Sequence, residues 1–340
     1  MKNILVTGGA GFIGSNFVHM MLGKYDDIDI VVYDKLTYAG NPDNLLPVAN
    51  NPHYHFHNGD IGDTSEVEKV MQNYDIDTIV NFAAETHVDR SLMEPGGFIQ
   101  TDVYGTFVLL EAAKAYNIER YHQISTDEVY GAVLEGRSKE TDCLHTRSPY
   151  SAAKAGGDLM CLAYYTSFNM PITITRGSNN IGPYQYPEKA VPLFITNAID
   201  DKPLPLYGDG LQMRDYQYVL DHCEGIDVVL RQGQPGEIYN LGTGVETTNI
   251  EMTRLILKLL TKPDSLIQPI TDRPGHDRRY ALDCSKIQAL GWRSAHNFEQ
   301  AVEVTVKWYV DNEGWWRKIK SGQRYQEYYQ RQYAGREVNK

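Results

Sequence analysis

Asn3-Ile4-Leu5-Val6-Thr7-Gly8-Gly9-Ala10-Gly11-Phe12-Ile13-Gly14 opens the chain, and its reading decides the fold. A short apolar run of strand character enters a glycine loop with GxxGxxG spacing, and a helical pattern over about 12–22 follows. Gly8, Gly11 and Gly14 let the backbone turn tightly and approach a pyrophosphate with no Cβ in the way. Amides at the helix N-terminus then face the phosphate charge. A glycine pattern carries weight only between a strand and a helix, and that context is present here.

Working outward, a second apolar run, Ile28–Asp34, ends twenty residues after Gly14. A carboxylate at Asp34 can accept hydrogen bonds from an adenosine ribose diol and repels a 2′-phosphate, which favours NAD over NADP. Lys35 beside it tolerates some negative charge. Further strands are expected at Tyr54–Asn58, Thr78–Ala83, Tyr121–Ser125 and Pro171–Arg176, with helices at about 64–73, 97–116 and 149–168. This alternation predicts an α/β fold, a Rossmann-type doubly wound parallel sheet.

Beyond about residue 178 Pro and Gly become frequent, and helices are expected near 188–200, 219–231, 249–260 and 298–311. We read residues 1–178 as an NAD-binding domain, with the chain crossing back near 210–243. Residues 179–330 form mainly a smaller, mixed α/β substrate-binding lobe. The tail, with Trp315, Trp316, Tyr325, Tyr328, Tyr329 and Tyr333, is aromatic and basic.

The 340 residues are 42% hydrophobic and 22% charged, enough for a real core. A net charge of −12 argues against nucleic acid as a partner, because that would need a basic face. Cys143, Cys161, Cys223 and Cys284 are too far apart for a metal or redox motif and read as reduced thiols. Ile4–Val6 is too short for a signal sequence, and no run approaches the ~20 apolar residues of a membrane span. The expectation is a soluble, cytoplasmic protein with no membrane partner and no metal.

Two constellations carry chemistry. Tyr150 and Lys154 stand four apart on one helix face. A phenol with a pKa near ~10 is a poor base at neutral pH unless a neighbouring ammonium and a cationic nicotinamide favour phenolate. Ser125-Thr126-Asp127-Glu128 closes the fifth strand, at the sheet edge where doubly wound proteins bind ligands. A solvated Asp-Glu turn is the ordinary reading of such a pair. It loses here because the strand leads to where a nicotinamide-bound substrate would sit.

Longer stretches point the same way: Phe82-Ala83-Ala84-Glu85-Thr86-His87-Val88-Asp89-Arg90-Ser91, Ser125 to Gly131, Ser148-Pro149-Tyr150, Gly182 to Lys189, Gly208-Asp209-Gly210 with Arg214-Asp215, and Arg273 to Tyr280. Together they resemble the extended short-chain dehydrogenase/reductase family, specifically its nucleotide-sugar 4,6-dehydratases, from the N-terminus to about residue 311. The resemblance implies conversion of dTDP-glucose to its 4-keto-6-deoxy form with tightly bound, recycled NAD. It implies that Tyr150 takes the 4-hydroxyl proton with Thr126 on the same oxygen, Glu128 removes the C5 proton, and protonated Asp127 expels the 6-hydroxyl as water.

The resemblance further implies cofactor contacts from Phe12, Ile13, Leu36, Thr37 and Gly40, then Asp60, Ile61, Phe82, Ala83 and Ala84, and finally Thr101 and Asn180, besides the glycines, Asp34, Lys35, Tyr150 and Lys154. For the nucleoside-diphosphate sugar it implies Thr86, Asn179, Lys189, Ala190 and Arg214, with Asn249, Arg273 and His276; Pro205 and Tyr207 line the base pocket. Thr86, Asp102, Ala153, Ile181 and Tyr216 depart from the family pattern, and none is expected to touch the acid, base or hydride partners. Ile181 and Tyr216 leave thymine against uracil open.

A homodimer is expected through helices 97–116 and 149–168, using Val103, Phe107, Leu110, Leu159, Leu162 and Tyr165. UDP-glucose dehydration, a nucleotide-sugar 4-epimerase and a decarboxylase are the competing activities. The latter two need no acid to expel a 6-hydroxyl, so Asp127 and Glu128 speak against them. A non-catalytic NAD-binding regulator is the reading from another class.

Overall fold

The computed structural model describes residues 1–333. Its frame is a seven-stranded sheet. In chain order come β1 (Asn3–Thr7), α1 (Phe12–Lys24), β2 (Asp29–Asp34), β3 (Tyr54–Asn58), α2 (Thr64–Asn73), β4 (Thr78–Asn81), α3 (Val88–Met93), α4 (Gly96–Phe98), α5 (Thr106–Ala115), β5 (Arg120–Thr126), α6 (Pro149–Phe168) and β6 (Ile172–Gly177). The second half holds β7 (Asn179–Ile181), α7 (Ala190–Ile199), β8 (Leu204–Tyr207), β9 (Met213–Arg214), β10 (Tyr216–Tyr218), α8 (Val219–Gln232), β11 (Ile238–Leu241), β12 (Thr247–Thr248), α9 (Asn249–Leu259), β13 (Ile267–Ile270), α10 (Ser285–Ala289) and α11 (Phe298–Asp311). Two tail helices follow, α12 (Glu313–Ser321) and α13 (Gln323–Tyr333).

The sheet runs β11-β6-β5-β4-β1-β2-β3, parallel throughout. β1 and β2 are nearly continuous apolar runs because helices cover both faces. On β1, Ile4 and Val6 enter the core cluster that includes Phe17 of α1 and Val219 of α8, while Leu5 enters the opposite cluster with Val67, Val108 and Cys161. The order reverses at β1, which pairs with both β2 and β4, so a crevice opens at the carboxyl ends there. The remaining strands pair two by two, β7 with β10, β8 with β13 and β9 with β12.

Several boundaries differ from the sequence expectation. The strand expected over Thr78–Ala83 ends at Asn81, and the chain then leaves the sheet toward the crevice. The helix expected over 97–116 is interrupted by a π turn at Ile99–Gly105 between α4 and α5. Leu110, expected on the exposed dimer face, is fully buried in the core beneath it; Leu159 is exposed, and Val103, Phe107, Leu162 and Tyr165 are partly covered. The aromatic tail is helical and packed, with Trp316 only 1% exposed and its indole N–H donating to the Tyr309 carbonyl at 2.8 Å.

α6 starts where it does because Ser148 and Ser151 form a reciprocal cap and Pro149 occupies the first turn. That start places Tyr150 in the first turn and Lys154 one turn later. Further along, the Asp158 carboxylate meets the Arg176 Nε of β6 at 2.9 Å in a buried ion pair. Arg176 also donates to the Tyr130 hydroxyl (2.9 Å), which donates onward to Asn240 of β11 (2.8 Å). One network thus fixes α6, β6, β11 and the turn after β5. Asp158→Ala strands the guanidinium without its partner and is expected to cost about 3–5 kcal/mol, read as a shifted urea midpoint.

Candidate active site

The glycine loop leaves β1 with Gly8 at φ +65°, and a Cβ there would sit 2.6 Å from the Ala83 backbone nitrogen. Only glycine allows β1 and the segment after β4 to approach so closely. The N-terminus of α1 carries no side-chain cap, so its first-turn amides are open to the crevice. Asp34, at the end of β2, is fixed by N–H groups of Ala10 (2.9 Å) and Leu36 (2.8 Å). Lys35 is drawn aside by Asp60 at 2.6 Å. These groups fit a dinucleotide, with a glycine cradle and helix amides for the pyrophosphate and a carboxylate for a ribose diol.

A first cavity follows this cradle to Tyr150 and Lys154. It is lined by Gly8, Gly11, Phe12, Ile13, Gly14, Asp34, Lys35, Thr37, Gly40, Asp60, Ile61, Phe82, Ala83, Ala84 and Thr101. Leu36 lies off this wall, with a left-handed backbone (φ 56°) whose N–H holds Asp34. Asn180 instead lines a second cavity, while Thr86 lines the first. The second cavity gathers Asn179, Lys189, Ala190, Pro205, Tyr207, Arg214, Asn249, Arg273 and His276, together with Glu128. Gln185, Glu188 and Lys189 line both cavities, so the two adjoin.

At the end of β5, Thr126 donates to Asp127 Oδ1 at 3.2 Å and accepts the Glu128 N–H at 3.3 Å. The pair of carboxyls is thereby held on a single 3-10 turn. Burial, and then the charge of Glu128, push Asp127 up to about 8. Burial also raises Glu128, but Arg273 and Arg214 oppose that shift. Both adjacent acids are therefore pushed toward their protonated forms, and at Glu128 the two arginines favour the charged form against that push. Tyr150 is half-buried on the wall of the first cavity, and desolvation there, then Glu128 and Asp102, hold its phenol well above the ordinary range.

Several functional neighbours escaped the sequence reading. The Tyr280 hydroxyl donates to Asp277 at 2.8 Å and lies 3.5 Å from Glu128. Asp89 binds Arg273 at 3.1 Å and accepts the Tyr207 hydroxyl at 3.1 Å. His87 before it has a strained φ of 90° at the cavity wall. Arg90 pairs with Glu188 at 2.7 Å between the rings of Tyr38 and Tyr328. The tail closes the far side, where Gln332 donates to the Tyr207 hydroxyl at 2.6 Å and Tyr333 lines the second cavity.

Three departures from the family pattern, Asp102, Ile181 and Tyr216, were expected to keep away from the reacting groups or to shape loops. Asp102 does touch them, because its carboxylate pairs with Lys154 Nζ at 3.1 Å. Tyr216 and Ile181 both line the second cavity, and Tyr216 donates to Asn249 at 2.7 Å. Among the described residues no cluster could hold a metal ion and no helix is long and apolar enough to cross a membrane.

A family model described as GDP-mannose 4,6 dehydratase matches residues 5–305. The dTDP-glucose 4,6-dehydratase of Streptomyces antibioticus is 47% identical over 324 residues, 94% of this chain and 95% of its own. The low-salt glycan biosynthesis protein Agl12 of Haloferax volcanii is 48% identical over 311 residues, 92% of this chain and 99% of its own. Among solved structures, the dTDP-glucose 4,6-dehydratase DesIV of Streptomyces venezuelae, determined with NAD bound, matches with a TM-score of 0.91. It is 46% identical and covers 94% of this chain and 100% of its own. With its glycine cradle, its Tyr–Lys pair and its acidic turn in one crevice, the chain belongs to the nucleotide-sugar 4,6-dehydratase family, in the dTDP-glucose group of the extended short-chain dehydrogenases/reductases.

Proposed function

We propose that this chain is an NAD-dependent hydro-lyase that converts dTDP-glucose to dTDP-4-keto-6-deoxyglucose. The observation that carries the reading is the acidic turn. Asp127, pushed up to about 8 by burial, stands beside Glu128 on the 3-10 turn at the end of β5, and Glu128 lines the second cavity. An epimerase or decarboxylase has no leaving 6-hydroxyl to protonate and needs no such acid.

NAD, held by the glycine cradle and Asp34, supplies a hydride acceptor for C4 and later a hydride donor for C6. The residues do the rest. Tyr150, as phenolate, takes the proton of the 4-hydroxyl, assisted by Lys154 and by the Thr126 hydroxyl. The ketone formed at C4 acidifies C5, because the resulting negative charge spreads onto its oxygen. Glu128 removes the C5 proton while Asp127 gives its proton to the 6-hydroxyl, which leaves as water; when hydride returns to C6, Glu128 gives a proton back to C5, and the proton held by Tyr150 replaces the one Asp127 gave. Arg214 and Arg273 offer planar forks for the diphosphate. Pro205, Tyr207 and Asn249 face the nucleoside.

The same reading assigns residues 1–178, with the return near 210–243, to the dinucleotide. It assigns 179–330 mainly to the nucleotide sugar. It gives a cytoplasmic enzyme, with the four cysteines unpaired. It also gives a homodimer joined over the helices around Leu159, which is 57% exposed.

Purified protein is expected to dehydrate dTDP-glucose without added NAD, faster than UDP-glucose. The alkali-induced absorbance of the keto sugar and the loss of water by mass spectrometry check this; no dehydration of either sugar by NAD-loaded protein sinks the assignment. Asp127→Asn is expected to lower kcat about 10²–10⁴-fold. In the parent, kcat falls as pH rises through about 8, where Asp127 loses its proton. The raised carboxyl costs stability increasingly between its unfolded pKa near ~4 and its folded value, so the Tm advantage of Asp127→Asn grows from pH 4 to pH 8. Tyr333→Ala is expected to raise KM for dTDP-glucose about fivefold with little change in kcat, because one aromatic contact is worth about 1 kcal/mol.

A further inference from the structure

Asp102 brings to the active site a charge that the proposed reaction does not use. It lies in the π turn between α4 and α5, where the added backbone residue re-aims the side chains that follow. One carboxylate oxygen stands 3.1 Å from Lys154 Nζ, and the other accepts the Glu85 N–H at 3.1 Å. Both side chains are buried, at 2% and 8% exposure. The contact depends on a close helix approach. A Cβ on Gly157 of α6 would lie 2.8 Å from the Asp102 carbonyl oxygen, so only glycine lets α6 come near enough for Lys154 to reach the turn.

A carboxylate 3.1 Å from a buried ammonium fixes the position of the lysine side chain. The same negative charge opposes formation of phenolate at Tyr150, one helical turn away. The other acidic groups around the pair are Asp127 and Glu128 at the end of β5, Glu85 after β4 and Asp158 further along α6. The basic groups nearest to Glu128 are Arg273, Arg214 and Lys189.

We propose that Asp102 is a positioning residue that anchors Lys154 and, through its charge, sets the pH at which Tyr150 accepts the 4-hydroxyl proton. The proposal rests on the dehydratase reading. The step balances: the hydroxyl proton moves onto the phenolate oxygen as the C4 hydride leaves for the nicotinamide. Phenolate is the active form, so removing a nearby negative charge lets it form at lower pH.

The test compares kcat against pH for the holoenzyme and for Asp102→Asn, which keeps shape and an acceptor for Glu85. The acid limb of Asp102→Asn is expected to move down, raising the rate at acidic pH relative to its plateau about three- to tenfold. Asp102→Ser removes the same charge and moves the limb in the same direction; thermal unfolding verifies that both variants fold. Independently of turnover, the ultraviolet phenolate signal abolished by Tyr150→Phe is expected to titrate at lower pH in Asp102→Asn. Profiles that superimpose on the parent's, or a uniform loss of kcat with an unmoved limb, overturn the proposal. No turnover by the parent sinks the dehydratase reading and this proposal together.

Discussion

Every reacting group lies along one edge of the sheet, because a parallel sheet must bury both of its faces. Helices that cover those faces force each strand to restart from the same end. All seven strands therefore finish at a common edge, and there the loops can carry polar residues without being buried in the core. The order reversal at β1 parts the loops after β1 and β4, and the dinucleotide crevice follows from that geometry. Tyr150, Lys154, Thr126, Asp127 and Glu128 meet because β5 and the start of α6 both end there.

Burial is the second constraint. The acidic turn has its unusual proton affinity because it is closed off from water, and the closure is built from distant parts of the chain. Arg176, bound between Asp158 and Tyr130, clamps the base of the turn. Arg273, held by Asp89 of α3, and Tyr280 close it from the second half. An exposed turn of the same sequence would hold two ordinary carboxylates.

Much of this was legible in the sequence. The strand–glycine–helix start, the buried apolar runs and the helical pattern over 149–168 each act locally, so their residues declare the structure by themselves. Helix α6 runs from Pro149 to Phe168, as expected, for that reason. What was missed depends on contacts far apart in sequence. A π turn has no side-chain signature, so the 99–105 region read as ordinary helix and Asp102 was placed away from the chemistry. β11 is short and joins the sheet only by pairing with β6, which a pattern of residues in isolation does not reveal. The packing of the tail aromatics was left open because their partners, His87, Pro187 and Tyr207, lie more than a hundred residues earlier.

That last arrangement divides the labour of the two cavities along the chain. The second cavity is walled partly by Tyr333 of α13, while the residues that line the cofactor cavity run from Gly8 to Lys189. Loss of α13 therefore opens the wall on the substrate side and leaves the dinucleotide cradle its full lining.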